Sequence, residues 1–155
     1  MTIDVARSVK KMFVAGKWTE SESGQLFEAT SPATGAVIAQ VPKGTRADAK
    51  RAVEAAHEAR SAMANLKGFE RSKRLHRIAE AIERRRAELG RLLTLDQGKP
   101  LVAEALGEVD EAAEYFRIAA EDIKRLETNV IPSISKSKLV FTLRVPRAQP
   151  ARGVA

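Results

Sequence analysis

The side chains able to do chemistry in this chain are few, and their spacing keeps them apart. His57 and His76 are the only histidines, and their separation offers no i, i+4 pair that could grip a metal ion. There is no cysteine, which removes thiolate nucleophiles, disulfides and thiolate metal sites together. Glu108, Glu111 and Glu114 recur at i, i+3 without a histidine beside them and read as a solvated acidic face. The nine glycines include no Gly-x-Gly pair and no Gly-Lys-Ser/Thr, so neither a dinucleotide fingerprint nor a phosphate loop is present. Gly98-Lys99-Pro100 makes a poor phosphate cradle. Pro100 has no N–H, and the helix before it presents its negative end. The run Glu83-Arg84-Arg85-Arg86 lacks interleaved aromatics for stacking bases and reads as a solvated face. Trp18, the sole tryptophan, is a packing anchor. Read from the residues alone, the catalytic, cofactor-binding and metal-binding sets are each empty.

The elements that would position any site are clearer. Residues 12–42 carry strand-type residues (Trp18, Phe27, Val37, Ile38, Val41) punctuated by Gly16, Gly24, Pro32, Gly35 and Pro42, a pattern of short hairpins. Thr45 with Asp48 three residues on is a capping-box pair and predicts a helix over 46–64. Its stripe is Ala49, Val53, Ala56, Arg60 and Met63. A second helix is predicted over 70–97, with Leu75, Ile78, Ala79, Ile82, Leu89, Leu92 and Leu93 on one face. Gly98 and Pro100 end it. A third, over 101–126, places Val102, Leu106, Val109, Ala113, Phe116, Ala120, Ile123 and Leu126 at steps of three and four. Pro132 breaks that pattern, and Ser133 to Ser137 read as a polar linker. Leu139, Phe141, Leu143 and Val145 then alternate with Lys138, Val140, Thr142 and Arg144, giving a strand over 138–145 with no partner after it.

A chain of 155 residues, 44% apolar and 30% charged, has the length and composition of one globular domain. The net charge of +7 is uneven. Residues 68–99 hold nine basic and five acidic groups, and residues 100–127 hold three and eight. A basic helix beside an acidic one in an antiparallel pair neutralises much of this, so nucleic-acid binding is expected to be weak and unspecific at most. No apolar stretch approaches the ~20 residues of a membrane span, and none follows the N-terminus at signal-peptide length. A soluble, cytoplasmic protein is expected, without membrane partners.

Three segments belong together: Phe13-Val14-Ala15-Gly16-Lys17-Trp18, then Ser31-Pro32-Ala33-Thr34-Gly35 with Val41-Pro42, then Leu95-Asp96-Gln97-Gly98-Lys99-Pro100-Leu101. In this order, with helices between them, they resemble the N-terminal portion of the NAD(P)-dependent aldehyde dehydrogenases, from about Phe13 to Pro146. The resemblance implies an α/β family in which this stretch is α+β: an N-terminal β-hairpin layer, three amphipathic helices and a C-terminal extended strand. It implies two regions, 1–146 as part of an aldehyde dehydrogenase-like domain and 147–155 as a divergent basic tail. In that family the reaction is covalent, with thiolate attack on a small aldehyde such as succinate semialdehyde, hydride transfer to NAD or NADP, and hydrolysis of the thioester.

After Arg144-Val145-Pro146 the family continues into Gly-Val-Val and Pro-Trp-Asn segments, whereas this chain reads Arg147-Ala148-Gln149-Pro150 to Ala155. The cofactor contacts, asparagine, glutamate and cysteine of the family therefore have no counterparts to carry over. The resemblance implies a fragment inactive by itself that binds no NAD or NADP. A frameshift, a natural short paralogue and an expressed piece remain open. The family uses the strand matched by 138–145 for oligomerisation. Leu139, Phe141, Leu143 and Val145 are accordingly the expected contacts for self-association or for docking to a related full-length chain. The alternatives are a non-catalytic interaction module and a weak, basic nucleic-acid-binding domain.

Overall fold

A computed structural model describes residues 9–126 and 128–144. The last position of the expected strand, Val145, and the expected tail 147–155 lie outside the described residues.

Two hairpins come first. β1 (Met12–Val14) and β2 (Lys17–Thr19) pair antiparallel with Phe13 opposite Trp18, their ring centroids 5.0 Å apart, within the range of favourable aromatic pairs. β3 (Leu26–Thr30) and β4 (Val37–Pro42) form the second antiparallel pair. Their turn is closed by Ser31, whose N–H donates to the Ala36 carbonyl at 2.8 Å and whose carbonyl accepts from Gly35 N–H at 2.8 Å.

α1 (Arg46–Ala64) has the expected bounds, with the full capping box of Thr45 and Asp48. Its expected stripe is a different matter. Val53 is 52% and Met63 50% exposed, and Ala49, Ala56 and Arg60 are exposed as well. The 46–64 pattern is amphipathic, but among the described residues nothing large covers it.

The expected helix over 70–97 is two helices, α2 (Gly68–Arg84) and α3 (Arg86–Gln97), broken at Arg85 with φ −105° and ψ 13°. No glycine or proline marks the break. Adjacent arginines are drawn to different partners instead: Arg85 forks onto Glu88 in α3 at 2.7 and 2.9 Å, and Arg86 forks onto Asp110 at 2.5 and 2.6 Å. Gly98 ends α3 in the left-handed region at φ 74°, and a Cβ there would sit 3.0 Å from Pro32 Cγ. Glycine serves both demands at once, the positive φ and the close approach of the second hairpin's turn.

The expected helix over 101–126 begins instead with a wide π turn, Leu101–Ala105, and continues as α4 (Leu106–Asp122) and a 3₁₀ turn, Ile123–Arg125. A π turn holds an extra residue, which rotates the pattern. Val102 is thereby thrown out to 81% exposure, while Val109, Ala113 and Ala120 stay buried.

α2 and α4 run antiparallel, as two pairs show: His76 with Glu121 (Nε2 to Oε1, 3.1 Å) and Glu83 with Arg117; Arg86 at the start of α3 continues the series onto Asp110. The basic helix thus neutralises the acidic one. Between these helices and the π turn the buried apolar residues are Ala79, Ala105, Val109, Ala113 and Ala120. Leu75, Ile82 and Phe116 are only half-buried. Small side chains let the backbones approach closely, but they leave a thin interior.

The strand expected over 138–145 shortens to β6 (Val140–Phe141). It has a partner, which precedes it: β5 (Val130–Ile131) pairs Val130 with Phe141 and Ile131 with Val140. Asn129 and Thr142 extend the ribbon, Thr142 N–H donating to the Asn129 carbonyl at 2.9 Å. Pro132 sits at the end of β5, where its missing N–H is tolerated. Leu139 and Leu143 flank the paired residues and lie outside the strand.

Candidate interaction surface

The residues weighed for chemistry are dispersed, and most are engaged with one another. Glu108 accepts two bonds from Lys99 Nζ at 2.5 and 2.6 Å, Glu111 accepts from the Tyr115 hydroxyl at 2.9 Å, and Glu114 accepts from Arg117 at 3.4 Å. The Arg117 bond holds Glu83 below its ordinary pKa, and Arg86 does the same for Asp110. The basic run is thus ion-paired rather than a free cationic patch, since Arg84 also meets Glu80 and Arg85 meets Glu88. These pairs are half-exposed, so they fix helix register more than they add stability. Among the described residues no three His, Cys, Asp or Glu side chains cluster as a metal site.

Among the described residues Asp48 is the one buried charged residue, at 3% exposure. It accepts from Thr45 N–H at 2.8 Å, Ser21 Oγ at 2.7 Å and Glu22 N–H at 3.2 Å, and it also meets Arg51. The Thr45 backbone bond, then the Ser21 hydroxyl, holds its carboxyl well below the usual carboxylate range. Every partner is internal. The cluster fastens the β2–β3 connection to the start of α1 and leaves Asp48 no lone pair aimed at a ligand.

Helix N-termini are the natural seats for phosphate, but that of α1 already holds the Asp48 carboxylate and that of α2 holds Glu70, which accepts from Lys67 N–H at 2.8 Å.

The molecule offers apolar surface instead. One exposed region is the β5–β6 ribbon, where Leu139 is 76%, Phe141 54% and Leu143 68% exposed. The structure brings these three expected contacts together, and it adds Val130 and the fully exposed Ile134. Sequence reasoning missed Val130 and Ile131, although two β-branched residues before a proline are a strand-end signal. A second region is an open groove of about 570 Å³, walled by Ile82, Leu89, Leu92 and Leu93 on one side and Val109 and Ala112 on the other, with Asp96 and Glu108 at its rim. A third is the bare alanine face of α1.

Comparison with known proteins gives these surfaces a context. A sequence model described as the aldehyde dehydrogenase family matches residues 18–149. The chain is 39% identical over 137 residues to glutarate-semialdehyde dehydrogenase of Pseudomonas putida, covering 88% of this chain and 28% of that one. To alpha-ketoglutaric semialdehyde dehydrogenase of Bacillus subtilis it is 35% identical, covering 94% and 30%. Among solved structures, succinate-semialdehyde dehydrogenase from Burkholderia pseudomallei superposes with a TM-score of 0.80 at 33% identity, over 85% of this chain and 27% of that one. A salicylaldehyde dehydrogenase from Pseudomonas putida G7 gives a TM-score of 0.83 at 27% identity, over 90% and 28%. The chain thus spans less than a third of the length of the proteins it matches.

Proposed function

This chain belongs to the aldehyde dehydrogenase family, as an N-terminal portion of such a protein, and from that premise we propose that it serves as scaffold and contributes no catalytic group. The complete enzyme would oxidise a small aldehyde to a carboxylic acid with NAD or NADP. The match over residues 18–149 carries this reading. The lack of cysteine in the chain and the carboxylate-filled helix N-termini support its restriction to scaffolding. The relatives named for glutarate, α-ketoglutaric and succinate semialdehydes support an aldehyde that bears a carboxylate at its far end.

Assembly follows from the β5–β6 ribbon. Copies of the chain, or this chain and a related longer one, associate through Leu139, Phe141 and Leu143. Val145 is proposed to join them, on the sequence alternation alone. Among the described residues no helix is long and apolar enough to cross a membrane, and a cytoplasmic site of action completes the proposal. Residues 1–146 form the family-related region and 147–155 a separate basic tail. The nucleic-acid reading loses its main support in the ion pairing of Arg84, Arg85 and Arg86.

The test is a chimera in which this chain replaces the matched 28% of the Pseudomonas putida enzyme. The chimera is expected to oxidise glutarate semialdehyde with a nicotinamide cofactor, whereas the chain alone is expected to reduce neither NAD nor NADP. Cofactor reduction by the isolated chain, proportional to its concentration and surviving repurification, overturns the scaffold reading. A folded but inactive chimera overturns the assignment of the chain as a working portion of the family's enzymes.

A further inference from the structure

α1 is fastened to the rest of the chain at its two ends and hardly along its length. Asp48 is its only buried residue. Ala55 and Ala64 are half-buried, and every other residue of the helix is exposed. At the N-terminal end Asp48 accepts from Ser21 Oγ at 2.7 Å and from Glu22 N–H at 3.2 Å, which pins the helix to the β2–β3 connection. At the C-terminal end Arg71 Nη2, reaching back from α2, donates to the Ala64 carbonyl at 2.9 Å. Among the described residues no hydrogen bond or ion pair ties a side chain of residues 52–63 to another element. Open cavities flank this middle stretch instead. One of about 370 Å³ lies between Ala56, Ala59 and Arg71, and one of about 290 Å³ lies between Ala52, Ala55 and Val14 of β1. The firmly packed body begins just beyond. A Cβ on Gly68, the first residue of α2, would sit 2.9 Å from the Ile123 carbonyl oxygen, so α2 is pressed onto the end of the α4 segment from its first turn. Residues 65–67 thus join a helix held by its ends to one held along its face.

We infer that α1 is a strap, a rod that lifts from β1 and α2 as one unit while α2, α3 and α4 stay folded. It hinges at Thr45 and Asp48 and is released at Arg71. The two ends differ in strength. The N-terminal end is held by several bonds to one buried carboxylate, the C-terminal end by the single bond from Arg71. That closed bond also has a cost, because Arg71 Nε is buried with no hydrogen-bond partner, and an unsatisfied buried donor opposes the state that creates it. Lifting returns this donor to water. The alanine-rich sequence of α1 favours helix without a neighbour, although 19 residues is little above the marginal length. The connection 65–67 keeps the travel within roughly 10 Å. Arg71 and Val14, both half-buried in the closed position, reach water together in the open one.

Amide hydrogen exchange of the full chain, read by mass spectrometry after digestion, measures this opening segment by segment. Amides of residues 50–64 are expected to exchange together, at least about tenfold faster than those of α4. Arg71→Met removes the C-terminal pin and should speed exchange of 50–64 by about a further tenfold, the loss expected for one bond from a charged donor, with α4 unchanged. Arg71→Lys keeps the charge and should fall between the two. Arg74→Met, at an exposed position of the same helix, should alter neither segment. Ser21→Ala loosens the other end and should speed exchange in the first half of α1, again without moving α4. Circular dichroism confirms that each variant is folded. Equal protection of α1 and α4 in the natural chain overturns the strap. Exchange of α4 that rises in step with α1 in Arg71→Met and Ser21→Ala overturns it too, because the opening would then be global unfolding. So does an α1 whose exchange ignores both substitutions.

Discussion

Gly90 lies in the middle of α3, and a Cβ placed on it would come 2.6 Å from Leu106 Cδ2 and 3.4 Å from Leu101 Cδ1. Gly107, on α4, has nothing within 4 Å of the same position. Replacing each by alanine separates two effects that usually arrive mixed. Both substitutions remove the flexibility of glycine within a helix, a gain of roughly 0.5–1 kcal/mol. Gly90→Ala alone must also displace Leu106, and forcing a methyl group into an occupied space costs about 1–3 kcal/mol. Leu106 is half-buried and its far end is mobile, but Leu101 crowds the same side, so a cost near the middle of that range is expected. Gly107→Ala should therefore stabilise the chain by somewhat under 1 kcal/mol, and Gly90→Ala should destabilise it by about 1 kcal/mol, a gap of roughly 2. In urea unfolding followed by circular dichroism, with a slope of about 1–2 kcal/mol per molar, the two midpoints should differ by about 1 M or more. Equal midpoints, or a higher one for Gly90→Ala, would refute the close approach of α3 to the start of α4.

The remaining predictions concern charge and assembly. Asp48 has a native pKa depressed below its unfolded value, so its contribution is complete above the unfolded value of about 3.9 and fades as pH falls through the native one. Acid titration of stability from pH 7 downward should accordingly be steeper for the natural chain than for Asp48→Asn below about pH 5, and parallel curves would show that the Ser21–Thr45–Asp48 cluster does not bear on folding. Phe141→Lys puts a charge on the exposed ribbon and should lower the sedimentation-average mass at a given concentration, because apolar contact there is the drive to associate. An unchanged mass would place self-association elsewhere.

Much of the fold could be read where local chemistry is decisive. Thr45 with Asp48 sets the start of α1, Gly98 ends α3, and the three- and four-residue steps through Val109, Ala113 and Ala120 predict the buried face of α4. What escaped depends on contacts distant in sequence. The break at Arg85 coincides with neighbouring arginines pairing to Glu88 and Asp110, and no propensity marks it. The π turn after Pro100 rotates Val102 away from the face its spacing assigns. Alternation predicts the strand over 138–145, yet alternation describes a surface and not a partner, and the partner lies before it, across Pro132. The same limit applies to α1, whose stripe was legible while the absence of a local cover was not. As for the site, residue types predict no catalytic group, and the α3–α4 groove escapes such reading, since it exists only where two helices meet at an angle the sequence does not state.

The alanine-lined contact of α2 with α4 has a thermodynamic consequence. The heat capacity of unfolding measures the apolar surface newly exposed, and an interior of Ala79, Ala105, Val109, Ala113 and Ala120 has little to expose. The increment for this chain should fall below the ordinary value of about 12–15 cal/mol/K per residue, with a correspondingly flat dependence of stability on temperature. Any association that covered the leucines of the groove or the bare face of α1 would add a further negative heat-capacity change, as hydration water leaves them.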